Sequence, residues 1–78
     1  MTQVPPSMRE PKGDHNRRLS LGMSPEAFAA QAGISVDALR DYERTSPDGT
    51  FDLEVAARVG AALDRLEADP PTTQAVKN

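Results

Sequence analysis

The sequence predicts an all-α protein, a small helix-turn-helix bundle of about four helices with disordered termini. Three observations carry that prediction. Leu53, Ala56, Val59, Leu63 and Leu66 recur at helical spacing, so the last third of the ordered chain reads as one amphipathic helix. Two serine-led start signals, Ser24-Pro25-Glu26 and Ser35, each open a further helix. Between them stands Gly33, where a left-handed residue can close one helix and turn the chain into the next.

Taken in order, residues 1–13 hold Pro5, Pro6, Pro11 and Gly13 with little apolar content. Proline removes amide donors and bars the helix interior, so a disordered arm is expected there. Asp14 after Gly13 suits an N-cap, and a first helix is predicted over 14–21, anchored by Leu19 and Leu21, with His15 exposed in its first turn. At Ser24-Pro25-Glu26 a hydroxyl accepts an orphan amide, proline takes the first helical position and glutamate meets the positive end of the dipole. The second helix is predicted over 25–32, with Phe28 as its anchor and four alanines that let neighbours approach closely.

Ile34 and Ser35 lead into a third helix over 36–44, whose apolar side is Leu39 and Tyr42 with Ala38 alongside. Thr45 to Thr50 is rich in turn residues. Asp52 then caps a fourth helix over 53–67, with Phe51 as its hydrophobic staple and Gly60 expected at a close helix crossing. Asp69-Pro70-Pro71 ends it. The domain is accordingly expected over 14–68, followed by a disordered tail over 69–78.

Seventy-eight residues that are 37% hydrophobic, with a mean hydropathy of −0.57, allow one small aliphatic core. No cysteine is present and histidine occurs once, which argues against a thiolate or histidine-based metal site. No apolar run reaches the ~20 residues of a membrane span, so a cytoplasmic protein without a membrane role is expected. The acids lie scattered over helix surfaces, with no nucleophile beside a base and no phosphate-cradling glycine loop, so neither catalysis nor a cofactor is expected. The formal net charge is −3 and unevenly placed: residues 1–23 have more bases than acids, whereas 24–78 have ten acids against five bases. Affinity for nucleic acid comes largely from bases that neutralise phosphates, so this balance opposes non-specific DNA binding.

The outer face of the third helix reads Val36, Asp37, Arg40, Asp41, Arg44, as its i, i+4 rows require. Facing a major groove, an arginine can take guanine bidentately, an acid can accept from cytosine, and Val36 can touch a thymine methyl. Facing solvent, the same residues make the i, i+3 pairs Asp37–Arg40, Arg40–Glu43 and Asp41–Arg44. Gln31 is placed to reach phosphate from the second helix. Arg17 and Arg18, with Arg9 and Lys12, suit an arm that follows phosphate or the minor groove.

Ala29, Gly33-Ile34-Ser35, Leu39 and Tyr42-Glu43 make the chain resemble the lambda-repressor/Cro-like (XRE-like) helix-turn-helix family. Gly22-Met23-Ser24 is similar to the opening of that family's second helix, and Phe51-Asp52-Leu53 to Ala62-Leu63 is similar to its fourth. The resemblance covers about residues 16–66. It departs at Pro25, where the family commonly has a phosphate-binding glutamine, at Asp37 and Asp41, and at Asn16 and Arg17, where an apolar residue is usual. Ala38 to Arg44 is also similar to the mercury-resistance-regulator-like winged helix-turn-helix, but Thr50-Phe51 is too short for its wing and too few helices follow.

The resemblance implies sequence-specific binding of double-stranded DNA by a small transcriptional regulator, with the third helix as reader. A homodimer is expected, because small operator binders usually need one and the face Ala57, Gly60, Ala61 offers a smooth surface. The alternative is a protein-interaction module on the same scaffold that has lost DNA binding and meets a basic protein partner through its acidic face.

Overall fold

A computed structural model describes residues 5–46 and 48–70. A 3-10 turn at Pro6–Met8 leads into α1 (Pro11–Ser20), α2 (Pro25–Ala32), α3 (Val36–Glu43) and α4 (Leu53–Ala68). The described residues contain no strand, so the protein is all-α, as its hydrophobic periodicity predicts. The ends 1–4 and 71–78, and the disorder expected of them, lie outside the described residues.

Three of the four helices begin where their local signals place them. Ser24 Oγ accepts from the Ala27 amide at 3.1 Å, and Ser35 Oγ accepts from the Ala38 amide at 3.0 Å. Asp52 Oδ1 accepts from the Glu54 and Val55 amides at 2.8 and 3.3 Å. Each cap satisfies donors that the helix cannot bond itself.

The first helix differs from its expectation at both ends and in its anchoring. It starts at Pro11, three residues before Asp14, because proline's fixed φ suits the first helical position. Asp14 is therefore inside α1 and does not cap it; its carboxylate is buried and turned to the interior. Leu19, expected as an anchor, is 55% exposed, whereas Leu21 at the C-cap packs against the core as expected. The buried residues of α1 are Asp14 and Arg18, one helical turn apart, so along its length the helix docks mainly through charge, with Leu21 adding an apolar contact at its end.

Nor are residues 5–13 a free arm. Arg9, just before α1, donates through Nε and Nη2 to the Asp14 carboxylate at 2.8 and 2.9 Å. That guanidinium also lies over Gly60 of α4, where an added Cβ would fall 2.6 Å from Arg9 Nη1. Gly60 does mark a close approach, but what approaches is a side chain from the N-terminal segment and not another helix.

The core lies where α4 meets the other helices. Ala56, Val59, Ala62, Leu63 and Leu66 from α4 pack with Phe28, Ala29 and Ala32 of α2 and with Leu39 and Tyr42 of α3. Leu53, expected on the buried stripe, is 53% exposed at the first turn of α4. Phe51 stands edge-on to Tyr42, ring centroids 5.3 Å apart, and so bridges the loop to the core. With so few large side chains inside, hydrophobic burial alone stabilises the bundle modestly, and the ionic contacts of α1 matter more than in a larger domain.

Candidate nucleic-acid interface

The site is built on α2, Gly33 and α3. Gly33 adopts φ 73° and ψ 33°, and the amide of Ile34 donates to the Ala29 carbonyl at 3.0 Å. This left-handed residue closes α2 two residues before the Ser35 cap opens α3. Ile34 packs against the core beside the turn. Leu39 and Tyr42 are buried, which fixes how α3 is rolled about its axis.

That roll leaves Asp37, Arg40, Asp41 and Arg44 exposed together on the outer side. Val36 differs from them: it is half-buried against the core, so only part of its side chain is open to a partner. None of the three i, i+3 ion pairs expected on this face forms. Arg40 reaches instead to Glu26 of α2, Nη2 to Oε2 at 3.4 Å, in an exposed pair that adds little stability. The main-chain carbonyl of Asp41 accepts from Thr45 Oγ1 at 3.1 Å, leaving its carboxylate in solvent.

The two arginines expected to follow phosphate from α1 are held within the fold. Arg18 is buried; Nε and Nη2 donate to Glu43 at 2.7 and 3.1 Å, and Nη1 donates to the Met23 carbonyl at 2.7 Å. Buried and spending three of its five N–H donors inside the fold, this guanidinium is not presented to DNA. Arg17 lies against α4, donating to Glu67 at 2.8 and 2.7 Å and to Asp64 at 3.2 Å. These bonds raise the Arg17 pKa above its ordinary value and hold the Glu67 carboxyl below its own. Both arginines join α1 to other helices because those helices carry carboxylates facing it, a long-range match that local composition does not reveal.

Gln31 is likewise engaged. Its Oε1 accepts from Arg65 Nη1 at 3.1 Å, and its carbonyl accepts from Arg65 Nη2 at 2.9 Å. The side chain is drawn toward α4 and away from a free phosphate-seeking role.

Sequence reasoning missed the group that ties α3 to α1. Tyr42 Oη donates to Asp14 Oδ2 at 2.6 Å, on the same carboxylate that holds Arg9. Burial, then the neighbouring carboxylate, push the Tyr42 phenol well above its ordinary pKa. The readable signal was the i, i+4 placement of Asp14 and Arg18 on a helix with few apolar anchors. Their partners, Tyr42 and Glu43, are consecutive on α3.

Among the described residues, no cluster of three metal-capable side chains occurs, and no helix is long and apolar enough to cross a membrane. Comparison with known proteins returned no matching family, no matching curated protein and no matching solved structure.

Proposed function

We propose that this chain is a sequence-specific DNA-binding protein of the helix-turn-helix kind, a small cytoplasmic transcriptional regulator that reads duplex DNA with α3. The observation that supports this most is the open outer face of a firmly held helix. Asp37, Arg40, Asp41 and Arg44 are exposed on one side, while Ser35, Gly33 and the buried Leu39 and Tyr42 fix the other. A reader helix needs this combination of a rigid back and a polar front.

In this reading the first turns of α3 enter the major groove. Asp37 accepts from a cytosine amine, and Arg40 exchanges its weak contact with Glu26 for guanine. Few phosphates are neutralised, because Arg17 and Arg18 are engaged elsewhere, so the salt dependence is shallow for a DNA binder. Affinity then has to come from two copies on adjacent half-sites, roughly 34 Å apart.

Selection from a randomised duplex library tests the proposal. It predicts an enriched motif, and Arg40→Ala relaxing one base position by about 1–3 kcal/mol. Recovery of no motif at low salt counts decisively against it.

The second reading is a protein-interaction module whose acids meet a basic partner, and the exposure of both Asp37 and Asp41 favours it. Asp41→Lys separates the two. On DNA the variant gains affinity by adding a phosphate-facing charge; against a basic protein it loses affinity.

A further inference from the structure

Among the described residues, the fold engages nearly all its lysine and arginine side chains. Arg9, Arg17, Arg18, Arg40 and Arg58 lie in ion pairs, and Arg65 is bonded to Gln31. Lys12 and Arg44 are the two that make no such bond, and they line the same groove. The groove, about 620 Å³, runs between the start of α1 and the loop that leaves α3. His15 and Phe51 line it as well.

In a net-acidic chain this is a locally cationic place. Of its two glutamates, Glu43 is already neutralised by Arg18, and Glu10 stands alone against Lys12 and Arg44. The groove falls in the size range of small-ligand sites and is too large for a lone inorganic anion to fill. Its walls join unpartnered cations to an aromatic ring, which suits a ligand with an anionic head and a flat body. A phosphoryl head matches lysine and arginine donors that line one groove, the arginine bidentately and the lysine as a point charge.

We propose that the groove between α1 and the end of α3 binds a phosphorylated small molecule, its phosphoryl group held between Lys12 and Arg44 and its ring against Phe51. Because Arg44 ends the helix assigned to DNA reading, such a ligand acts as an effector placed beside that helix. The binding site itself does not depend on the DNA-reading proposal.

Amide-resolved NMR titration at constant ionic strength tests this, with a nucleoside monophosphate as probe and the unphosphorylated nucleoside and inorganic phosphate as comparisons. Saturable shifts centred on Lys12, His15 and Arg44, with affinity at least about tenfold above that for the nucleoside, are expected. Lys12→Gln with Arg44→Gln, both exposed positions outside the core, should abolish saturation while leaving the folded spectrum intact.

The proposal is overturned if the monophosphate moves no resonance beyond a sodium chloride control, or if the double variant binds as the parent does. A separate titration with duplex DNA distinguishes the sources. Saturable nucleotide binding with no response to DNA upholds this site while removing the DNA proposal, and DNA shifts at Asp37, Arg40 and Asp41 with no nucleotide binding uphold DNA reading while overturning this site. Groove shifts that appear with DNA but not with the nucleotide assign Lys12 and Arg44 to backbone phosphate and overturn the effector site.

Discussion

Tyr42 Oη and the Asp14 carboxylate meet at 2.6 Å in the interior, joining the end of α3 to the middle of α1. Asp14 also neutralises Arg9, so one carboxylate secures two elements. Tyr42→Phe removes one donor and leaves the ion pair, at a cost of about 1–2 kcal/mol. Asp14→Ala leaves an enclosed guanidinium without its partner and costs roughly 3–5 kcal/mol, a large part of a small domain's stability. Urea denaturation checks the order. Equal losses for the two variants would contradict the shared-carboxylate arrangement.

The same contact predicts an alkaline limb. The folded state keeps the Tyr42 proton above the ordinary phenol value of 10.0, whereas the unfolded chain releases it there. Stability from this group is thus complete below pH 10 and falls as pH rises through and beyond that value. Denaturation midpoints measured between pH 9 and pH 11 should decline in the parent and decline less in Tyr42→Phe.

Gly60 and Arg9 should show coupled energetics. Alanine at a helical glycine ordinarily gains about 1 kcal/mol, but here its Cβ would displace the Arg9 guanidinium from Asp14. Gly60→Ala is expected to be neutral or destabilising in the parent and stabilising in an Arg9→Ala background. A double-mutant cycle reads the sign change directly. Additive effects would mean that the two side chains do not compete for the space.

The two left-handed glycines allow a matched comparison. Gly22 and Gly33 share φ 73°, yet a Cβ at Gly22 meets nothing within 4 Å, while one at Gly33 meets Arg58 Nη1 at 3.2 Å. Gly22→Ala therefore carries the conformational cost alone, about 1–2 kcal/mol. Gly33→Ala should cost about the same, because the only atom its Cβ meets is the mobile tip of the half-exposed Arg58; a loss well beyond that of Gly22→Ala would mean that Arg58 is held rigidly in place. Thermal melts resolve this, since ~1 kcal/mol moves a domain of this size by roughly 4–8 °C.

What could be read from the chain divides by distance. Ser24, Ser35 and Asp52 cap helices through amides two or three residues away, so the starts of α2, α3 and α4 are local facts. Gly33 is equally local. Asp14 looked like another cap, but its partners were a residue before the helix and a tyrosine 28 positions along. Arg18 looked like a phosphate-seeking base until Glu43, 25 positions away, enclosed it. Apolar periodicity says nothing of such pairs, and α1, which docks largely by them, is the helix whose start and one of whose two expected anchors, Leu19, differ from expectation. On the outer face of α3, exposure was legible from the helical rows. The ion pairing was not, because Glu26 and Arg18 drew Arg40 and Glu43 away from their helical neighbours.

The seating of Arg9 over Gly60 has a mechanical consequence. Any polypeptide joined ahead of residue 5 departs from a segment fastened to α1 and α4, and a single carboxylate separates that fastening from Tyr42. Without Arg9, Asp14 would keep two partners, the Tyr42 phenol and the Arg17 guanidinium at 3.6 Å. The notch at Gly60 thus ties the segment before α1 to α4 while one shared carboxylate ties it to the end of α3.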